Sequence, residues 1–407
     1  MTDEVTAMAR VLLINAGSEG HINPTLGVVQ ELIRRGEEVV YFTAEQFRAD
    51  VERTGAKVVT FDIEKFLEAF LAGGRTPWAR VGGLLRTAYI VIPSVLEQTK
   101  DGRFDYIIHD SMFGCGRLLA QLLNLPAINS CTSFAIDENQ FNRLQEQLSR
   151  NFPDDVNARG KQEFEQLVRH VQEKYHVQVQ SAYEVFCNPA PLTIVYTSRR
   201  FQPNGEGFDE SYKFVGPSVI PRLNSSFDFS QVDTDNLIYI SLGTVFNHAV
   251  EFYKCCFEAF ANTKYTVLLS VGRQTQIEEL GAIPANFLVH QYVPQLEVLQ
   301  HAKVFITHGG MNSTSEALYY GVPLIVLPQN ADQPVIARRV AEIGAGVYLN
   351  QDGLSADELR AVTERVLKDA SIKKVCEEIG DSFRTAGGYE RAVDEIFAFK
   401  RSRGIAD

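Results

Sequence analysis

Short β-branched or leucine-rich runs alternate with helix-compatible stretches along most of the chain, and no other feature restricts the fold as tightly. Val11 to Ile14 is followed by a helical pattern from about Pro24 to Arg35 and then by Glu38 to Phe42. The rhythm continues through Tyr106 to Ile108, Ala127 to Ser130 and Leu192 to Tyr196. Such alternation predicts βαβ units, and hence a parallel sheet covered by helices.

A polar stretch from Ser198 to Ser230 interrupts the pattern, with Asn204, Gly205, Gly207, Gly216, Pro217 and Pro221 as turn signals. The alternation restarts with Leu237 to Ile240, Val267 to Ser270, Val304 to Thr307 and Leu324 to Leu327. A length of 407 residues is too much for one ordinary core. The expected architecture is therefore α/β: two tandem Rossmann-like domains, residues 1–216 and 217–390, with a terminal helix at 391–407 packing back toward the first. In open parallel sheets ligands bind outside the C-terminal strand ends, which directs attention to the loops after strands and to a deep cleft between the two domains.

A formal net charge of -12 disfavours nucleic acid and anionic lipid as partners. Any bound anion must be held locally, by backbone dipoles and a few placed donors. The six cysteines (Cys115, Cys131, Cys187, Cys255, Cys256, Cys376) form no CxxC pair and no metal-ligand spacing, which suits a reducing compartment and predicts a cytoplasmic protein. Asp3 and Glu4 precede the first apolar run where a signal peptide would carry basic residues. The apolar stretch Leu84 to Leu96 is interrupted by Arg86 and Pro93, so no membrane-spanning length is expected. A monomer without metal or cofactor is the expected state.

The densest signal is the segment Thr307-His308-Gly309-Gly310-Met311-Asn312-Ser313-Thr314-Ser315-Glu316, between the run Val304 to Ile306 and a helix ending near Gly321. Two glycines allow close approach of backbone to ligand. Asn312 or Ser313 is a suitable N-cap for a helix whose free N–H groups and dipole would face an anion. His308 can donate to the same phosphates, and Glu316, one turn in, can accept from the two hydroxyls of a ribose. Upstream lies Gln291-Tyr292-Val293-Pro294-Gln295-Leu296-Glu297-Val298-Leu299; downstream are Gly321-Val322-Pro323 and Pro328-Gln329-Asn330-Ala331-Asp332-Gln333.

Together these residues resemble, over about forty positions without a gap, the signature box of small-molecule glycosyltransferases that use uridine-diphosphate sugars: plant natural-product enzymes and bacterial macrolide and flavonoid glucosyltransferases of the GT-B fold. The resemblance implies that Tyr292 stacks on uracil, where tryptophan is common, and that Val293 contacts the base through its backbone. It implies further that Gln295 lies in the donor site, that Glu316 binds the ribose, and that His308, Gly310, Asn312 and Ser313 surround the diphosphate. Asp332 and Gln333 would hold sugar hydroxyls, glucose being the expected sugar. Met311 also departs from the plant box, which has tryptophan there. A second loop, Ser241-Leu242-Gly243-Thr244, ends the first strand of the second half, and the resemblance implies that Ser241, Gly243 and Thr244 touch the diphosphate.

In the first half, Ala16-Gly17-Ser18-Glu19-Gly20-His21-Ile22-Asn23-Pro24 delivers a histidine at a helix start. Imidazole is the natural base near neutral pH, and His21 is the candidate. A base needs an orienting group. Asp110 closes the strand that begins at Tyr106, so in a parallel sheet both residues emerge at the same edge. The same family pairs a Gly-His-x-x-Pro histidine with an aspartate at a later strand end, which implies direct displacement with inversion, without metal. Phe113, Ser133 and Phe134 are candidates for the acceptor pocket of a flavonoid, phenol or macrolide, although each aromatic could equally be core. The charged segment Glu138 to Lys174 reads as a solvated lid.

Asp233-Thr234-Asp235 could suggest a divalent-ion motif, but it precedes a strand in a polar loop and reads as a solvated turn. A nicotinamide dehydrogenase would need G-x-G-x-x-G after the first strand, a spacing Gly17 and Gly20 do not meet. Two alternatives remain, a transferase for lipid-linked acceptors and a sugar-nucleotide-binding protein without catalysis.

Overall fold

The computed structural model describes residues 8–15, 17–100, 102–220, 227–243, 247–330 and 332–406. The chain divides into two compact units: Met1–Tyr196 with Asn204–Ser218 and Gly387–Asp407, and Thr197–Pro203 with Val219–Ala386.

The first unit holds β1 (Arg10–Ile14), β2 (Glu38–Ala44), β3 (Lys57–Phe61), β4 (Tyr106–Asp110), β5 (Ala127–Cys131), β6 (Leu192–Val195) and β7 (Tyr212–Phe214). They form one sheet in the order β3-β2-β1-β4-β5-β6-β7, every neighbouring pair parallel. β1 and β4 are buried almost throughout, as strands covered on both faces must be. The edge strands β3 and β7 are mostly half-buried, which explains why no unbroken apolar run announces them in the sequence.

The second unit contains β8 (Leu237–Ser241), β9 (Thr266–Ser270), β10 (Phe287–His290), β11 (Val304–Thr307), β12 (Leu324–Val326) and β13 (Gly346–Tyr348). Their order is β10-β9-β8-β11-β12-β13, again all parallel. Each unit thus repeats the doubly wound order 3-2-1-4-5-6, and in each the order reverses between its first and fourth strands. Those two reversals, β1/β4 and β8/β11, are where such sheets open a crevice.

The last helix, Gly388–Ser402, belongs to the first unit and packs on the helix Glu19–Arg34. Gly387 and Gly388 both take positive φ, 97° and 62°, and turn the chain into it. Lys400 is fully buried and ion-paired to Glu37, whose other carboxylate oxygen accepts from the Tyr106 hydroxyl at 2.9 Å. Removing either partner of this pair would strand a buried charge, so the contact fixes the helix strongly.

Two sequence expectations are corrected in the first unit. Pro77–Gln98 forms a helical stretch of 22 residues that is long and apolar enough, by length and composition, to cross a membrane; Arg86 and Pro93 do not shorten it. Here Leu84, Leu85, Val91, Ile92 and Val95 are packed into the core. The charged segment is no solvated lid throughout, because its second helix, Asp154–Tyr175, buries Phe164 against Trp78 with ring centroids 5.7 Å apart.

Candidate active site

At the first crevice three strand ends deliver three side chains. β1 ends at Ile14, and Asn15 then ties the loop. Its backbone N–H donates to the Phe42 carbonyl, its Oδ1 accepts from Gly17 N–H, and its Nδ2 donates to the His21 carbonyl at 2.9 Å. Gly17 has φ +76°, and a Cβ there would lie 3.0 Å from that of Ala44, so this turn requires glycine. The helix begins at Glu19, earlier than its hydrophobic pattern suggests, which puts His21 in its first turn.

The Nδ1 of His21 lies 2.7 Å from Oδ2 of Asp110, the last residue of β4, and 3.0 Å from Oγ1 of Thr132, just past β5. Asp110 is buried, and its second oxygen accepts from Met112 N–H at 2.7 Å. The His21 side chain keeps 23% of its surface exposed while that of Asp110 keeps none. A carboxylate beside Nδ1 requires a hydrogen on that nitrogen, which leaves Nε2 as the atom able to take a proton. The expected juxtaposition of His21 and Asp110 is present; Thr132 was missed, because a threonine after a strand carries no local signal.

Of the acceptor-side candidates, Phe113 is corrected. It is fully buried, stacked on Phe66 at 5.6 Å and near Phe61 at 6.0 Å, so its ring is part of the core. Its N–H bonds back to the Asp110 carbonyl, a turn that points the ring inward. Ser133 and Phe134 follow β5 and are half-buried.

At the second crevice the loops are shaped by glycine. β8 ends at Ser241, whose hydroxyl accepts from Gly243 N–H at 3.3 Å. Gly243 has φ +79°, and a Cβ there would lie 2.5 Å from the His308 ring; one on Gly310 would lie 2.6 Å from its Nε2. The imidazole is thus clasped between two backbones that only glycine can supply. Burial pushes its pKa down to about 4, against the opposing pull of the Asp332 carboxylate and a hydrogen bond to the Ser241 carbonyl. His308 is therefore neutral at pH 7 and can act as a neutral N–H donor. Thr244 lies outside the described residues.

The helix after β11 runs Met311–Tyr319 with Gly310 as N-cap, a correction to the expected cap at Asn312 or Ser313. Both fall inside its first turn. Gly310 has no side chain with which to cap this end, and a helix N-terminus, with its backbone donors and dipole, favours an anion. Glu316 is buried, and its Oε2 accepts from Gln295 Nε2 at 2.6 Å. The same amide nitrogen donates to Ser313 Oγ at 3.2 Å, and Tyr239 donates to Gln295 Oε1 at 3.1 Å. Gln295 therefore links Ser313 and Glu316 into one polar array. Val293 is buried, whereas Tyr292 is 63% exposed, an open ring that could receive a base.

Gln333 has one role that the structure shows directly. Its Oε1 accepts from Gln329 N–H at 2.7 Å and Asn330 N–H at 3.1 Å, so the side chain pins the loop before it. Asp332 is half-buried at the N-cap of the helix Gln333–Glu342. A residue missed entirely is Asn247, fully buried, whose Nδ2 donates to the Gly243 carbonyl at 2.9 Å and whose Oδ1 accepts from Gln274 N–H at 3.2 Å, joining the loops after β8 and β9.

Asp233-Thr234-Asp235 is a capped turn, with the Asp233 oxygens accepting from Asp235 N–H and Asn236 Nδ2. A cavity of about 470 Å³ opens in the second unit, but at the N-terminal ends of β8 and β11, beside Leu237 and Lys303 and away from the loops just described.

Two doubly wound units, one with a histidine–carboxylate pair and one with a glycine-shaped, anion-favouring helix end, define a glycosyltransferase of the GT-B class, and solved structures agree. The calicheamicin glycosyltransferase CalG4 matches with TM-score 0.82 and 29% identity over 97% of this chain and 99% of its own. The glycosyltransferase of kitacinnamycin matches with TM-score 0.84 and 28% identity over 96% and 99%. Residues 257–386 match the family described as Erythromycin biosynthesis protein CIII-like, C-terminal domain. The uncharacterized UDP-glucosyltransferase YojK of Bacillus subtilis (strain 168) is 35% identical, covering 96% of this chain and 97% of that protein. Demethyllactenocin mycarosyltransferase of Streptomyces fradiae is 30% identical, covering 96% and 86%. The chain belongs to the bacterial UDP-glycosyltransferases of the macrolide glycosyltransferase type, enzymes that use nucleotide-sugar donors.

Proposed function

We propose that this chain transfers glucose from UDP-glucose to a hydroxyl of a small hydrophobic acceptor, a flavonoid, phenol or macrolide, with inversion at the anomeric carbon. Nε2 of His21 takes the acceptor proton as the oxygen forms its bond to the anomeric carbon. The bond from that carbon to the β-phosphate oxygen breaks at the same time, and UDP leaves with the electron pair. Asp110 holds the imidazolium. His308, as a neutral donor, and the helix end at Gly310 stabilise the charge on the departing diphosphate. Glu316 receives the ribose hydroxyls, Tyr292 the base, and Asp332 the sugar. Gln333 acts on the sugar by fixing the loop at Gln329 and Asn330.

The observation that carries this reading is the 2.7 Å pairing of His21 Nδ1 with a fully buried aspartate, an arrangement that a protein merely binding sugar nucleotides does not need. The name of the similar YojK protein includes UDP-glucosyltransferase, which supports the donor. Incubation with UDP-glucose and a panel of flavonoids, phenols and macrolides, followed by mass spectrometry and proton NMR, tests it. The expected product is a β-linked glucoside with release of UDP. An α-linked product, or no product from any acceptor despite donor binding, would overturn the proposal.

A further inference from the structure

The two oxygens around His21 Nδ1 differ in kind. Asp110 Oδ2, at 2.7 Å, comes from β4; Thr132 Oγ1, at 3.0 Å, comes from the next strand, β5. Thr132 is 4% exposed, so its side chain is largely shielded from solvent. The nitrogen has one hydrogen to give. With only the carboxylate beside it, the ring could still swing about that single bond; a second acceptor on a neighbouring strand fixes the plane.

We infer that Thr132 is a positioning residue for proton transfer, its hydroxyl and the Asp110 carboxylate together holding the Nδ1–H of His21 so that Nε2 keeps its aim. This rests on the reading of His21 as the base. When the ring is protonated, Nδ1–H becomes a stronger donor, and the Thr132 lone pair adds to the stabilisation that Asp110 supplies.

The surroundings leave Asp110 as the charge that matters. Tyr41 on β2 and Tyr196 just past β6 both have phenol pKa values raised by burial, and burial pushes the Cys131 thiol on β5 up to about 12, so all three are neutral at working pH. His109 on β4 is fully buried, and burial lowers its pKa to about 4, so it is neutral as well. On the helix that carries His21, the nearest charged side chain is the exposed Glu19.

The test compares Thr132→Val, which keeps the shape and removes the hydroxyl, with Thr132→Ser, which keeps the hydroxyl. Thr132→Ala replaces the valine variant if that one does not fold. Thr132→Val is expected to lower kcat about tenfold, the size of one lost hydrogen bond to a charged group, with donor KM within about twofold. The acid limb of its kcat/KM profile should move to lower pH, because the imidazolium has lost an acceptor. Thr132→Ser should restore both. A wild-type kcat and unmoved acid limb in Thr132→Val, or a loss that serine does not repair, overturns the inference. His21→Ala is assayed alongside. If it is inactive while Thr132→Val behaves as wild type, only the role of Thr132 fails; if it is fully active, the base assignment itself fails.

Discussion

The two sheet crevices share one topology and use it in opposite ways. At β1/β4 the converging groups are side chains: His21, Asp110 and Thr132 are brought from three strand ends to a common point, and the backbone serves mainly to aim them. At β8/β11 the backbone sets the shape, since Gly243 and Gly310 clasp the His308 ring and Gly310 opens the helix Met311–Tyr319. Each crevice also keeps a neutral histidine, His109 in β4 and His308 after β11, both lowered to about 4 by burial. A proton acceptor needs a tuned side chain, whereas a diphosphate needs room and aligned dipoles. One fold can serve both by varying the residues at its strand ends and the loops that follow them.

If the division is right, damage to one crevice should leave the function of the other intact. The largest effect is expected for Asp110→Asn, which removes the charge that fixes the His21 tautomer. Its kcat should fall roughly a thousandfold while donor affinity, measured by calorimetry, stays within about twofold. Gly243→Ala tests the other side. Its Cβ would overlap the His308 ring at a backbone angle that disfavours alanine, and donor KM should rise by about one to two orders of magnitude with the acid limb of the pH profile unmoved.

Acid stability probes both crevices together. For His109 and His308 the folded pKa lies below the ordinary 6.5, so between about pH 6.5 and 4 the unfolded chain binds protons that the folded chain refuses. Their contribution is present above that window and lost as pH falls through it. The melting temperature should drop by several degrees between pH 7 and 5, and His109→Leu should flatten the slope; an unchanged slope would remove His109 from the account. The smallest effect is expected for Tyr292→Trp. A larger ring on the same exposed platform should tighten donor binding about twofold to fivefold, and weaker binding would argue against stacking there.

The strands of both crevices were legible because each is a short, nearly unbroken apolar run ending at a glycine or polar loop, as at Val11 to Ile14 and Val304 to Thr307. Pairing of His21 with Asp110 was also legible, since parallel strands must release their ends at one edge. What the sequence hid depends on contacts between distant segments. Phe113 follows a strand and looks like a pocket residue, yet its burial is decided by Phe61 and Phe66, some fifty residues earlier. Thr132 and Asn247 are ordinary loop residues until neighbouring strands place a histidine and a glycine carbonyl beside them. The part Gln333 plays in its own loop, where its carbonyl oxygen accepts from two backbone N–H groups, was equally hidden. The cap of the helix Met311–Tyr319 was misplaced because Gly310, with no side chain to announce it, takes that position.

The separation of roles is tested most directly by measuring one protein, His21→Ala, in two assays: calorimetric titration with UDP-glucose and product formation with an accepted phenol. Donor affinity within about twofold of wild type, together with a turnover reduced by at least about a hundredfold, is the predicted result. Undiminished turnover would show that His21 is not the base, and loss of donor binding would show that the two crevices do not divide the work as described.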